Sequence, residues 1–190
     1  EFRRVLFRSV LGGARQTGKT WLLRHFGSSE FRSLLYVNFE SDPKAATIFT
    51  GELSPDSVVP ALELYSGHSI DAERDLIVFD EIQLAPRALT SLKYFSEQEP
   101  RYAVCAAGSL LGLSGSTSAY PVGKVTQRTL FPLSFREYLA AVEPRLHEYL
   151  IDWVTAPVEI PEFVHSRLLE HLFRFFLVGG MPEAVGSYVA

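Results

Sequence analysis

"GARQTGKT", residues Gly13–Thr20, is the stretch on which the fold turns. It satisfies G-x-x-x-x-G-K-[ST] at every fixed position, and each position meets a physical demand. Gly13 and Gly18 let the backbone curl, so that the N–H groups of Ala14, Arg15, Gln16 and Thr17 can face inward on phosphate. A helix opening at Lys19 adds the positive end of its dipole. The Lys19 ammonium can reach β- and γ-phosphates as a mobile point charge, and the Thr20 hydroxyl is a ligand for Mg²⁺. Trp21 follows at once, as core or as a wall on the adenine side. The bland alternative is a chance Gly-rich turn, which would not require a strand before it, a helix behind it and a second motif downstream.

That second motif is "LIVFDE", residues Leu76–Glu81. A continuous apolar run reads as a strand buried on both faces. It delivers Asp80 to the carboxyl edge of an open α/β sheet, where ligands bind. Asp80 is the expected Mg²⁺ carboxylate, direct or through water. Glu81, directly after it, is placed to take a proton from an attacking water as general base. The alternative is an ordinary acidic pair at a strand end. Asp80 lies 61 positions beyond Lys19, room for one helix–strand–helix excursion between the motifs.

Working outward, short apolar runs alternate with helical ones, which predicts an α/β domain with a parallel sheet. Strands are expected at 5–11, 34–39, 75–80, 102–108 and 125–131, and helices at 19–26, 58–65 and from Pro86 to about 97. Beyond Phe131 the pattern becomes helical. Ser134 and Glu137 form a capping box, with Leu133 and Tyr138 as a hydrophobic staple. Further helices are expected at 144–154 and 162–178, then a new one after "GGMPEAV". The 162–178 helix is apolar on most faces and is expected to be buried against another surface, which could be a part outside this chain. The domains read as an ATPase-type core over 10–131 and a helical region over 132–190.

Composition excludes several classes. Apolar residues are 47% and charged residues 21% of the 190, an ordinary globular mixture rather than a disordered one. The net charge of −4 gives no overall attraction to nucleic acid. The single cysteine, Cys105, excludes a disulfide framework and a Cys-based zinc site, and fits a reducing, cytoplasmic setting. Within a buried strand it reads as packing rather than nucleophile. No run reaches the ~18 apolar residues of a membrane span, and Gly12, Gly13, Arg15 and Gln16 interrupt any signal-peptide core. The histidines show no metal-ligand spacing; His165 and His171 are six apart and do not share a helix face.

Several blocks in one order carry a resemblance: "GARQTGKTWLL" (Gly13–Leu23), "YVNFE" (Tyr36–Glu40), "DEIQLAP" (Asp80–Pro86) with "SLKYF" (Ser91–Phe95), "AAGSLLG" (Ala106–Gly112), "YPVGKV" (Tyr120–Val125) with "LFPLSFREYL" (Leu130–Leu139), and "VGGMPEAV" (Val178–Val185). Together they resemble a family of bacterial and archaeal AAA-like ATPases, over nearly the whole chain from Val10. The resemblance implies a P-loop NTPase three-layer sandwich with a mostly parallel sheet in the order 5-1-4-3-2, followed by a helical, winged-helix-like region. It implies ATP and Mg²⁺ as ligands, and Ser109 as a polar sensor of the γ-phosphate, or else a loop serine. Lys124 stands where many relatives have an arginine, keeping charge but losing the bidentate fork. Relatives commonly carry a C-terminal domain related to restriction endonucleases. Such a domain beyond this chain, a DNA or protein partner and a homo-oligomer are its corollaries.

Weaker positions remain two-sided. Arg15 and Gln16 could reach phosphate or a neighbouring subunit, or form a solvated loop face. Asn38 and Glu40 could position water, or serve a turn. Arg128 could be an arginine finger, or a plain edge-strand charge. The first nine residues, "EFRRVLFRS", resemble a translated short-read sequencing adapter (GAG TTC AGA CGT GTG CTC TTC CGA TCT), so natural text is expected from Val10. On that reading the chain is the core of a longer protein. Two functions are therefore expected: Mg²⁺-dependent ATP hydrolysis with Glu81 as base, or a nucleotide-gated interaction module with slow turnover. A GTPase is disfavoured because no N-K-x-D motif occurs.

Overall fold

The computed structural model describes residues 8–109 and 125–189. Its first unit runs to Leu130 and its second starts at Phe131. Strands β1 (Arg8–Gly13), β2 (Ser33–Asn38), β3 (Asp75–Asp80), β4 (Ala103–Ser109) and β5 (Thr126–Leu130) form one sheet, ordered β2-β3-β4-β1-β5. Every pairing is parallel. Read from the other edge, this is the expected 5-1-4-3-2.

The period-2 alternation of a strand divides the core into two layers. Val10, Ile77, Phe79, Val104 and Ala106 face one side. They pack there on helices α2 (Pro55–Ser66) and α3 (Pro86–Gln98), through Val58, Leu62, Leu89, Leu92 and Phe95, and on the 3₁₀ turn Pro43–Phe49. Leu11, Leu76, Val78, Ala103, Cys105 and Ala107 face the other side, against Leu23 and Phe26 of α1 (Lys19–Glu30). Both faces of β3 and β4 are thus covered, which is why their sequences are unbroken apolar runs. Each fully buried Leu, Ile or Phe contributes roughly 1.5–3 kcal/mol.

Prolines set the helix starts. Pro55 and Pro86 occupy the first turn of α2 and α3, where a missing N–H costs nothing. Most element boundaries lie within a few residues of expectation. The exception is α1, which continues to Glu30; of the first strand, expected at 5–11, positions 5–7 lie outside the described residues and the described part runs Arg8–Gly13. Of the adapter-like segment, only Arg8 and Ser9 are described; Ser9 is buried and in register with Cys105.

The described part of the second unit contains α4 (Phe135–Val142), α5 (Pro144–Thr155), α6 (Glu162–Val178) and α7 (Pro182–Val189). The capping box forms: Glu137 N–H donates to Ser134 Oγ, and Ser134 N–H donates to Glu137 Oε2 at 2.7 Å. The Ser134 N–H and the Ser134 hydroxyl, which donates to the same oxygen at 2.8 Å, hold the Glu137 carboxyl below its ordinary range. Leu139, Leu146 and Val164 make a small core. The cover expected for α6 is not supplied by the described residues of its own unit. Only Val164 and His171 are buried, whereas Phe163, Phe173, Phe176 and Leu177 are 65–88% exposed. Apolarity reports what a helix can bury, and α6 meets its own unit along one side only.

Candidate functional site

The site grows from the carboxyl ends of β1 and β3. β1 ends at Gly13, in register with Leu130 of β5 and Ser109 of β4. A Cβ on Gly13 would stand 2.5 Å from the Leu130 carbonyl oxygen, so only glycine lets the loop leave the sheet here. Gln16 (φ 63°) and Gly18 (φ 90°) both take the left-handed conformation. At Gln16 this costs roughly 1–2 kcal/mol, and such turns aim successive N–H groups at one anion. Thr17 Oγ1 closes the loop by donating to Ala14 O at 2.9 Å.

Helix α1 begins at Lys19 with no side-chain cap and no acid in its first turn. Its N-terminal N–H groups and dipole are therefore left to an anionic ligand. Lys19 is buried, and its Nζ reaches back to Gly13 O (3.1 Å) and Ala14 O (2.5 Å). That uses two of the three ammonium donors. Burial lowers its pKa, while the nearby Glu81 and Asp80 carboxylates work in the opposite direction.

β3 brings Asp80 to the same place. Thr20 Oγ1 donates to Asp80 Oδ2 at 2.7 Å, and Tyr36 OH donates to the same oxygen at 2.6 Å. The other oxygen, Oδ1, accepts from Glu81 N–H at 2.9 Å. Asp80 is 1% exposed, so these three donors offset the desolvation of its carboxylate. Glu81 is itself left-handed (φ 52°, ψ 42°) and opens a 3₁₀ turn over Ile82–Leu84. Its Oε2 accepts from Gln83 Nε2 at 2.5 Å, and Gln83 Oε1 accepts from Ser109 N–H at 3.3 Å.

Lys19, Thr20, Asp80, Glu81 and Ser109 are thus connected around one edge. Other candidates have different surroundings. Trp21 is 67% exposed and stacks on His25, with ring centroids 4.9 Å apart. Arg15 makes an exposed 3.9 Å ion pair with Glu40. Asn38 serves the turn after β2: its Oδ1 accepts from Glu40 N–H and Ser41 N–H, both at 2.9 Å. Arg128 lies on the exposed edge strand. Lys124 lies outside the described residues.

Two residues at the site were not singled out in the sequence. Tyr36 holds Asp80 from the neighbouring strand, with Arg24 4.0 Å above its ring. Burial and the Asp80 hydrogen bond push its pKa up, keeping it a neutral donor. Gln83 stands within the "DEIQ" block but carries no signal of its own.

The residues fit Mg²⁺ with a nucleotide. Thr20 and Asp80 are hard oxygen donors of the sort Mg²⁺ prefers, and too few to cage it without phosphate. Among the described residues, no group of three or more His, Cys, Asp or Glu side chains forms a separate metal cluster. No described helix is long and apolar enough to cross a membrane.

No curated protein matches the chain. Among solved structures, that of C. elegans PCH-2 aligns with 87% of this chain and 44% of its own, at 16% identity and a TM-score of 0.44. This chain therefore spans less than half the length of that neighbour. A family model described as an AAA domain matches residues 8–139. That match runs from β1 into α4 and takes in the phosphate loop, Asp80 and Glu81 together, so the chain belongs to this AAA-domain family and carries its nucleotide-binding, ATPase-type core.

Proposed function

We propose that this chain hydrolyses ATP in a Mg²⁺-dependent reaction, with Glu81 as general base. The observation that carries the reading is the meeting of Thr20 and Asp80 at 2.7 Å with Glu81 as the next residue. The loop N–H groups and the start of α1 bind the phosphates. Lys19 holds the β- and γ-phosphate oxygens and offsets charge that develops between them. Thr20 and Asp80 would hold Mg²⁺, which supplies charge neutralisation at the phosphate oxygens when bound. Glu81 takes the proton of a water whose oxygen forms the new bond to the γ-phosphorus. The bond from that phosphorus to the β,γ-bridging oxygen breaks, and its electron pair leaves with ADP.

The test is ATP turnover and ADP binding in Glu81→Gln and Lys19→Ala. Glu81→Gln should lower turnover by about 10²–10⁴-fold with ADP affinity kept. Lys19→Ala should weaken nucleotide binding by about 10–100-fold, the worth of a hydrogen bond to a charged group. Wild-type turnover in Glu81→Gln would remove Glu81 as base.

A second reading, a nucleotide-gated interaction module, is favoured by the exposed Phe163, Phe173, Phe176 and Leu177 of α6, since apolar patches of this sort mark partner surfaces. It predicts turnover below about one per minute, as in unassisted signalling NTPases.

A further inference from the structure

The base and the phosphate loop sit on strands that do not touch. Glu81 follows β3, the loop follows β1, and β4 lies between them. With strands about 4.8 Å apart, that gap is roughly 10 Å. One side chain bridges toward the loop. Gln83 donates from Nε2 to Glu81 Oε2 and accepts at Oε1 from Ser109 N–H, and Ser109 is the β4 residue in register with Gly13, where the phosphate loop begins. We propose that Gln83 is a positioning residue for hydrolysis, fixing the Glu81 carboxylate relative to the phosphate loop through the end of β4. The inference rests on Glu81 being the base.

The chemistry of the partners dictates an amide at this position. An ionised carboxylate only accepts hydrogen bonds and a backbone N–H only donates. The bridging side chain must donate at one end and accept at the other, and the two partners fix which end is which. The bond to Glu81 is charge-assisted, so it belongs to the stronger class.

The support around Gln83 is rigid. Ile82 is fully buried, Ala85 is 2% exposed, and the intervening turn is closed by Leu84 N–H on Glu81 O at 2.9 Å. Glu81 also occupies a left-handed conformation, which persists only where neighbours over-determine it. Here the Asp80 carboxylate fixes its N–H and Gln83 fixes its side chain. A base held from both ends stays within the small tolerance that positioned catalysis needs.

Two substitutions separate the ends of the bridge. Gln83→Met keeps length and loses both hydrogen bonds. Gln83→Glu keeps an acceptor for Ser109 N–H but replaces the donor to Glu81 with a second carboxylate. Each is measured for kcat, KM for ATP and Kd for ADP, and again by single turnover in the Glu81→Gln background. Both should lower kcat about tenfold or more, with KM and ADP Kd within about threefold, since only positioning of the base is lost. Neither should lower the residual rate of Glu81→Gln further, because residues acting through one another are non-additive. Wild-type kcat in either variant overturns the inference, as does the same fold loss in the Glu81→Gln background. Wild-type turnover in Glu81→Gln itself overturns the proposed function, and the role of Gln83 with it.

Discussion

Thr20 Oγ1 donates to Asp80 Oδ2 across 2.7 Å, although the residues lie 60 positions apart. Two separate segments bring them there. The Gly18 turn starts α1 at the loop, and the buried run of β3 ends at the same sheet edge. A hydroxyl and a carboxylate in contact form half a hard-cation site, completed by phosphate oxygens. Asp80→Ala should therefore abolish the increase in ATP affinity that Mg²⁺ produces, while leaving metal-free nucleotide binding within a few-fold. Calorimetric titration with Mg²⁺ and with EDTA measures both. An unchanged Mg²⁺ effect would remove Asp80 from the metal site.

Tyr36 holds the same Asp80 oxygen at 2.6 Å. Tyr36→Phe keeps the ring under Arg24 and removes that donor, together with the oxygen that accepts from Asn38 Nδ2 at 3.2 Å. We expect a loss of about 1 kcal/mol in stability, the usual worth of one hydrogen bond. The Mg²⁺ concentration for half-maximal turnover should rise about tenfold, the lower range for losing an outer partner of a metal ligand. An unchanged Mg²⁺ requirement would make Tyr36 structural only.

The contrast between Asp80 and Tyr36 shows what a sequence can carry. The phosphate loop, the β3 run and the Ser134–Glu137 box are local, so their residues announce them by spacing alone. The strand order came from resemblance rather than from the pattern, because sheet pairing is non-local. Tyr36 and Gln83 depend on register: Asn38 lies opposite Asp80, and Tyr36 reaches along the sheet from two residues earlier. Nothing in "LLYVNF" marks that tyrosine as different from a packing residue. The exposure of α6 was illegible for the opposite reason, since its apolar residues look the same whether covered or open.

Gly13 is fixed by contact rather than by dihedral. Its missing Cβ would lie 2.5 Å from Leu130 O and 3.1 Å from Thr17 Oγ1. The first neighbour is backbone in a sheet partner and cannot turn aside. Gly13→Ala should cost roughly 1–3 kcal/mol, the range for overpacking a tight site, and should weaken ADP binding as β1 and β5 separate. Denaturant unfolding with and without ADP measures the two effects. Wild-type stability would show that β5 yields easily.

Cys105 is fully buried on β4, and burial pushes its thiol up to about 12, with a smaller opposing contribution from a backbone hydrogen bond of Ser9. At pH 8 the native thiolate should be about a thousandfold scarcer than in the unfolded chain, so iodoacetamide should label Cys105 only after denaturation. The sign of the pH effect follows from the raised value. Unfolded chains release the proton near pH 9 and native ones do not, so stability is complete below pH 9 and falls as pH rises toward 12. Relative to Cys105→Ala, the wild type should lose about 1 kcal/mol between pH 8 and pH 10. Chemical denaturation of both proteins at the two pH values measures that difference. Fast labelling of the folded protein, or a pH-independent gap between the two, would show that β4 opens readily.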